Sequence, residues 1–136
     1  MEESYNELKR RLAELTDLDA ITGLLGWDQQ TMMPPGGAAV RAEQIATVTR
    51  LGHERFTSDE IGRLLDALAG DEAGLPPDSD EACLIRVTRR DWEKARRVPT
   101  ELAAELAHAA ASGYAAWLQA RATSDFAGFL PALEQN

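Results

Sequence analysis

The sequence has 136 residues and a formal net charge of −9, with 44% hydrophobic and 27% charged residues, a composition typical of globular proteins that fits one domain. Because nucleic acids are bound through Lys and Arg, this acidic balance argues against a nucleic-acid partner. No apolar run approaches the ~20 residues that a membrane span needs, and the beginning MEESYNELKRR is not a signal peptide, so the sequence predicts no membrane partner and a cytoplasmic location.

The first predicted element is a long amphipathic helix over residues 3–31. Its apolar residues recur at steps of three and four, which places them on one face of a helix. They are Tyr5, Leu8, Leu12, Leu15, Leu18, Ile21 and Leu25. Gly23 and Gly26 each weaken helix propensity by up to ~1 kcal/mol. We interpret them as points of close packing against another helix, or as a bend.

A hard stop follows this helix in the stretch WDQQTMMPPGG, residues 27–37. Pro34 and Pro35 each lack an N–H and clash with the preceding helical turn. The residue before a proline is also pushed out of the helical region. Gly36 and Gly37 then give the backbone the freedom to turn into a new helix. From the residues alone, this corner is a structural joint and predicts no chemistry.

Two further helices are predicted after the corner, over residues 38–56 and residues 59–69. Thr57 and Glu60 have the spacing of a capping box, which makes Thr57 the N-cap of the third helix. Gly70 is a suitable residue to end that helix. The predicted apolar positions are Val40, Ile45, Val48, Leu51, Ile61, Leu64, Leu65 and Leu68.

The acidic segment over residues 71–79 contains Pro and Gly and is predicted to be an exposed loop. Asp78 and Glu81 repeat the N-cap pattern, so a fourth helix is expected from there to Arg97. Its inward face is predicted to be Leu84, Ile85, Thr88, Trp92 and Ala95. Its other face carries Arg86, Arg89, Arg90, Lys94, Arg96 and Arg97. We interpret this basic face as a solvated surface that pairs with acidic neighbours, rather than as a ligand site.

Pro99 suits the first turn of a fifth helix, which is expected to reach residue 122. Its predicted apolar positions are Leu102, Leu106, Ala109, Tyr114, Trp117 and Leu118. A last short segment starts at Ser124, and Pro131 is expected to open a final helical turn. Nothing in the pattern indicates a strand. The sequence therefore predicts an all-α, single-domain bundle of five to six helices, arranged as antiparallel hairpins around one core.

Two histidine motifs resemble metal sites, but both are incomplete. His53 and Glu54 begin like the HExxH motif of zinc peptidases, whereas Thr57 stands where the second histidine is required. Glu105 and His108 have the Glu-x-x-His spacing of di-iron bundles, which need a second copy and further glutamates. We therefore predict no catalytic residue, no cofactor-binding residue and no metal ligand in this chain.

The remaining candidates for chemistry are more easily explained by structure. The single Cys83 excludes an internal disulfide, and we interpret it as a small, partly buried side chain rather than a reactive thiol. Trp27, Trp92 and Trp117 are each predicted to be core residues rather than platforms for a ligand.

The run LGWDQQTMMPPGG over residues 25–37 resembles the amino-terminal region of the carboxypeptidase Taq family, the M32 metallocarboxypeptidases. The resemblance continues in chain order through RAEQ at 41–44, LGHE at 51–54, FTS at 56–58, RDWEKARRVP at 90–99 and SDF at 124–126. It covers nearly the whole chain. The family implies all-helical enzymes, usually homodimers, that remove carboxy-terminal residues from peptides with zinc or a similar divalent metal.

The resemblance covers only about the first quarter of such an enzyme. The HExxH helix, the third metal-ligand Glu and the residues that bind the substrate carboxylate lie beyond the matched part. Residues 1–136 are therefore expected to be an N-terminal helical domain, with the catalytic domain absent, and His53 is not the zinc ligand of the family. The piece alone is predicted to be inactive.

By this resemblance, the chain is expected to form a wall or lid of the substrate groove, or a regulatory or dimerisation part. Its partners would be the rest of the parent enzyme and, through it, a peptide. The corner would fix the first helix against the second, with Arg41 paired to Asp28. The structural candidates are Trp27, Asp28, Met33, Pro34, Pro35, Gly36, Gly37 and Arg41. The alternative is a free-standing helical interaction module without peptidase activity.

A piece of a larger protein is also expected to expose apolar surface. Such a piece carries one face that the rest of the parent enzyme would cover, and apolar patches of that kind are otherwise rare on soluble monomers.

Overall fold

The computed structural model describes residues 1–135, in which the chain forms six α-helices and a short 3₁₀ turn. The helices are α1 (Glu2–Thr31), α2 (Ala38–Phe56), α3 (Asp59–Glu72), α4 (Asp80–Ala95), α5 (Thr100–Thr123) and α6 (Phe126–Gln135), and the 3₁₀ turn is Pro35–Gly37. Consecutive helices pack in the pairs α1–α2, α3–α4 and α5–α6. No strand occurs within this range, so the all-α prediction is confirmed.

The buried side chains form two clusters rather than the single predicted core. The first cluster is Leu8, Ile61, Leu65, Leu68 and Ile85, and the second is Ala42, Ile45 and Ala111. The helix α1 contributes to both, because Leu8 lies in the first cluster and Leu25 packs against the second. At 1.5 Å per residue, a helix of 30 residues is about 45 Å long, which is enough to span both clusters.

The helices α2 and α5 make the most extensive pairing in the structure. The buried residues of α5 are Ala109, Ala111 and Gly113. Several residues that were predicted to face inward are exposed instead: Ile21 on α1, Val40 and Leu51 on α2, and Leu102, Leu106, Trp117 and Leu118 on α5. This part of the prediction was wrong because small side chains let two helices approach closely, so the buried face of an alanine-rich helix is not its bulkiest one.

Two helix N-termini begin with a different cap from the one predicted. Ser58, not Thr57, is the N-cap of α3. The Thr57 hydroxyl instead donates to the His53 carbonyl at 2.7 Å, one turn back in α2. Ser79, not Asp78, caps α4 and accepts a backbone N–H of its first turn at 3.2 Å. In both cases the N-cap is the serine that follows the predicted cap residue and immediately precedes the helix.

Other helix limits also differ from the prediction. Helix α3 continues through Gly70 to Glu72. Gly70 does not end the helix because, like every glycine in residues 1–135, it lacks the positive φ of a helix-ending glycine. Helix α4 ends at Ala95 rather than Arg97. Pro131 lies inside α6 rather than at the start of a helical turn, so α6 lacks one intrahelical hydrogen bond.

The glycines of α1 do not mark close packing among the residues described. A Cβ atom added to Gly23 or Gly26 would meet nothing within 4 Å, and α1 continues unbroken past both. None of the six helices is both long and apolar enough to cross a membrane.

Candidate functional site

The candidate site is the corner between α1 and α2. Helix α1 ends at Thr31 as predicted, and the N–H of Met32 donates to the Asp28 carbonyl at 3.0 Å. Pro34 is extended, with φ −68° and ψ 151°. The 3₁₀ turn that follows is closed by the Gly37 N–H, which donates to the Pro34 carbonyl at 2.9 Å. The two prolines thus stop α1 and lead directly into α2 through a hydrogen-bonded turn.

The two glycines of the corner have different surroundings. At Gly37 a Cβ atom would lie 3.0 Å from Met33 Cγ, so the missing side chain lets Met33 fold against the turn. At Gly36 a Cβ atom would meet nothing within 4 Å. Because neither glycine has a positive φ, the corner does not use the conformational freedom that the sequence suggested. Close approach explains Gly37, and nothing in the structure explains Gly36.

Arg41, in the first turn of α2, connects the corner to the end of α1. Its Nη2 donates to Asp28 Oδ2 at 2.7 Å, and its Nη1 donates to the Leu25 carbonyl at 2.7 Å. Its Nε donates to Gln44 Oε1 at 3.0 Å. Bonds in which a charged group takes part are stronger than neutral ones, and the Arg41 side chain is only 15% exposed. The structure therefore contains the pair of Asp28 and Arg41 and adds a bond to the α1 backbone.

The same end of α1 is also connected to α5. The Gln29 side-chain amide donates to the Ala111 carbonyl at 3.0 Å. This carbonyl lies on the buried face of α5, where Ala111 belongs to the second cluster. The last two turns of α1 are therefore held to both α2 and α5 by side-chain hydrogen bonds.

The three tryptophans differ in burial, and the prediction that all lie in the core was wrong for two of them. Trp92 packs against the first cluster. Trp27 is 59% exposed, and Trp117 is 37% exposed beneath the Arg121 guanidinium, 5.2 Å from its ring. Trp27 follows the inward-facing Leu25 by two positions, which rotates it away from α2 and α5.

His53 connects three helices. Its Nδ1 lies 2.9 Å from Thr100 Oγ1 and its Nε2 lies 3.2 Å from the Ala95 carbonyl. A carbonyl can only accept, so Nε2 donates to Ala95, whereas the Thr100 hydroxyl can either donate to Nδ1 or accept from it. Both ring nitrogens are thus engaged where α4 ends and α5 begins. This arrangement uses His53 as a structural residue.

The metal that the resemblance implies does not fit the residues described. His108 Nε2 lies 3.1 Å from Glu43 Oε1, which makes a pair and not a cluster. No group of three or more His, Cys, Asp or Glu side chains between residues 1 and 135 is arranged to hold a metal ion. A zinc site needs at least three protein ligands.

The basic face of α4 lies against acidic residues. Three of its arginines pair with carboxylates: Arg89 with Asp66 at 3.1 Å, Arg90 with Asp91 at 2.9 Å and Arg96 with Asp59 at 3.3 Å. The Arg90 hydrogen bond lowers the pKa of the Asp91 carboxyl. The Arg96 guanidinium also lies over the Trp92 ring, 4.7 Å from its centroid. These contacts account for much of the basic face without a ligand.

One charged cluster was not anticipated from the sequence. Glu7 on α1 accepts hydrogen bonds from Arg10 at 2.6 and 2.8 Å and from Arg11 at 2.8 Å. These bonds, that to Arg10 first, lower the pKa of Glu7 to about 2. Arg11 also donates to Glu60 of α3. The signal was present as Glu/Arg spacings of three and four, which place these side chains side by side on a helix.

The chain is similar in sequence to named carboxypeptidases and in fold to a solved structure. The chain is 38% identical over 134 residues to thermostable carboxypeptidase 1 of Thermus thermophilus, covering 98% of this chain and 26% of that protein. It is 28% identical over 134 residues to carboxypeptidase 1 of Bacillus subtilis, with the same two coverages. The solved structure described as "BsuCP Crystal Structure" has a TM-score of 0.91 at 26% identity and covers 98% of this chain and 26% of that one.

The chain thus spans about a quarter of the length of the curated relatives it matches. The family model for the carboxypeptidase Taq (M32) metallopeptidases matches residues 7–136. Because that match includes nearly every residue, the chain belongs to the carboxypeptidase Taq (M32) metallopeptidase family.

Proposed function

We propose that this chain is the non-catalytic N-terminal part of a metal-dependent carboxypeptidase, in which it forms a wall or lid of the groove that receives the peptide. The observation that carries the proposal is the coverage: the relatives named as carboxypeptidases match over 98% of this chain and only 26% of their own length. The metal ligands and the reacting groups would then lie in the part of the complete protein outside these 136 residues.

The corner supports a role in positioning rather than in chemistry. Its polar side chains bind each other or the backbone: Arg41 binds Asp28 and the Leu25 carbonyl, and Gln29 binds the Ala111 carbonyl. Side chains held in this way keep helices in a fixed relative position, which suits the wall of a groove. The wall would act by orienting the peptide and by excluding water, and the metal would supply the Lewis acid when it is bound.

The complete protein would use zinc or a similar divalent metal. It would work in the cytoplasm as a homodimer. Because this chain would lie beside the groove, it would also be placed to regulate access to the groove or to take part in dimerisation. His53 and His108 would not be ligands, because His53 is engaged by Ala95 and Thr100 and His108 is paired with Glu43.

This proposal is tested with the complete reading frame that encodes the chain. The purified protein should release carboxy-terminal residues from peptides, and a chelator should abolish the release. The His53→Gln and His108→Gln variants should retain the same bound metal per chain as the unchanged protein, measured by elemental analysis. As a control, a substitution in the expected HExxH helix should remove the metal. Loss of metal from a folded His53→Gln or His108→Gln variant would contradict the proposal.

The second candidate is a free-standing helical interaction module without peptidase activity. Exposed large apolar side chains such as Leu24, Trp27 and Phe126 are expected of such a module as well as of a piece of a larger enzyme, so the reading frame has to distinguish the two candidates. A complete reading frame without an HExxH helix, together with a protein that does not cleave peptides, would select this candidate.

A further inference from the structure

The carboxyl half of α1 has apolar residues on two opposite sides. One side, with Leu25, packs against the second cluster. The other side carries Ala20, Gly23, Leu24 and Trp27, all exposed, and we call these four residues the outer face of α1. Leu24 is 63% exposed and Trp27 is 59% exposed. A helix that is apolar on both sides is typical of an element with neighbours on both sides.

This apolar character begins only partway along the helix. One line of exposed positions runs the length of α1 at steps of three and four: Glu2, Asn6, Lys9, Ala13, Thr16, Ala20, Leu24, Trp27 and Thr31. The first three are polar or charged, as expected of a surface in water. From Ala20 onward no charged residue occurs on the line, whereas the exposed residues Asp17 and Asp19 just before it are charged. The change locates the surface that requires a cover at the carboxyl half of α1.

Two further observations indicate a close neighbour there. Between residues 20 and 31 the only charged side chain is Asp28, and it is paired with Arg41 at 2.7 Å. Gly23 lies in the interior of α1, where glycine costs ~1 kcal/mol relative to alanine. A Cβ atom there would meet nothing within 4 Å among the residues described. A helix crossing at Gly23 would give this glycine a reason that the present contacts do not.

We propose that a helix from the remainder of the complete protein packs on the outer face of α1, crosses near Gly23 and encloses Leu24 and Trp27. The inference rests on the proposed function, since it requires a longer chain. The length of the relatives is the reason for choosing a helix of the same chain, because roughly three quarters of their sequence lies outside the matched part. The matched part keeps the fold described here in a solved relative, with a TM-score of 0.91. A second copy is the competing occupant, and the dependence of the protection on protein concentration distinguishes it.

The first test measures thiol labelling in the complete protein. Leu24→Cys probes the outer face, and Asp17→Cys is the matched control, because Asp17 is an exposed charged position of the same helix. Trypsin releases both positions in the peptide over residues 12–41, which contains no native cysteine. The thiol at position 24 should react at least tenfold more slowly than the thiol at position 17, and the two rates should converge in denaturant. Equal rates in the native protein would overturn the inference.

A second measurement needs no substitution and therefore does not depend on whether the variant folds. Hydroxyl-radical oxidation of the unchanged complete protein should modify Trp27 at least fivefold more slowly in the native than in the denatured state. The half-exposed tryptophan of an uncovered face would show about twofold protection at most. That weaker result would also overturn the inference.

Two controls separate the competing outcomes. Protection of position 24 should be independent of protein concentration. Protection that disappears on dilution to the monomer would assign the face to a second copy and overturn the inference. Peptidase activity is measured on the same samples. Protection without activity would contradict the proposed function and support the inference, whereas activity without protection would support the proposed function and overturn the inference.

Discussion

Arg41 and Asp28 form an ion pair across the corner between α1 and α2, with 2.7 Å between Nη2 and Oδ2. The same guanidinium binds the Leu25 carbonyl at 2.7 Å through Nη1. Arg41 is therefore in contact with two successive turns of α1, and its planar group holds both bonds at once. The prolines stop α1, and this arginine fixes the direction in which α2 leaves it.

The first prediction concerns this contact. Arg41→Lys keeps the charge but cannot bind Asp28 and the Leu25 carbonyl together, so it should lower the free energy of unfolding by ~1–2 kcal/mol. The matched control is Arg50→Lys, which affects an exposed pair with Glu54 on the same helix and should cost less than ~0.5 kcal/mol. Urea unfolding of both variants compares them. Equal losses would mean that Arg41 is an ordinary surface arginine.

The second prediction uses two glycines of the same helix. A Cβ atom at Gly62 would lie 2.6 Å from Trp92 Cζ2, whereas one at Gly70 would meet nothing within 4 Å. Gly62→Ala should therefore displace the indole and lower the free energy of unfolding by ~1–3 kcal/mol. Gly70→Ala should raise it by ~0.5–1 kcal/mol, because alanine favours the helix. Thermal unfolding should give shifts of opposite sign. A stabilised Gly62→Ala would show that α3 and α4 do not pack this closely.

The sequence predicts the fold best where large apolar residues alternate with charged ones. In α3 the stripe of Ile61, Leu65 and Leu68 is buried as expected, since polar residues surround it and leave one face to bury. In α5 this contrast is absent, and residue size misidentified the buried face. The buried face of α5 is instead the one that packs against α2, where Ala111 contacts Ala42 and Ile45.

At the candidate site, the local sequence predicts the corner between α1 and α2, but not the exposure of Trp27 or the contacts of His53 with other helices. The two prolines indicate where α1 stops, and a pair between Asp28 and Arg41 was predictable because both flank the corner. The exposure of Trp27 was not predictable in this way, since an aromatic residue on a helix usually marks the core. The bonds of His53 to Thr100 and Ala95 depend on the relative position of three helices, which no spacing encodes.

The third prediction concerns pH. The Glu7 carboxylate, bonded first to Arg10 and then to Arg11, has a pKa of about 2, below its ordinary value of 4.5. A lowered pKa means that the folded state favours the ionised form, so this contribution to stability is complete above pH 4.5 and is lost as the pH falls toward about 2. Side-chain NMR of Glu7 should give a midpoint near the lower value, and Arg10→Gln should raise it.

A comparison of variants checks the same point by unfolding. The stability advantage of the unchanged chain over Glu7→Gln should shrink as the pH is lowered from 4.5 toward 2. A Glu7 midpoint at its ordinary value, or an advantage that does not change with pH, would show that the contacts with Arg10 and Arg11 are not maintained in solution.

The most direct measurement is a peptidase assay on the 136-residue chain beside the complete protein, each supplied with Zn²⁺ and assayed with and without a chelator. The complete protein should release carboxy-terminal residues from peptides and lose this activity with the chelator. The 136-residue chain should release none under either condition, because the metal ligands are expected outside it. Chelator-sensitive release by the 136-residue chain alone would contradict its assignment as a non-catalytic part of the enzyme.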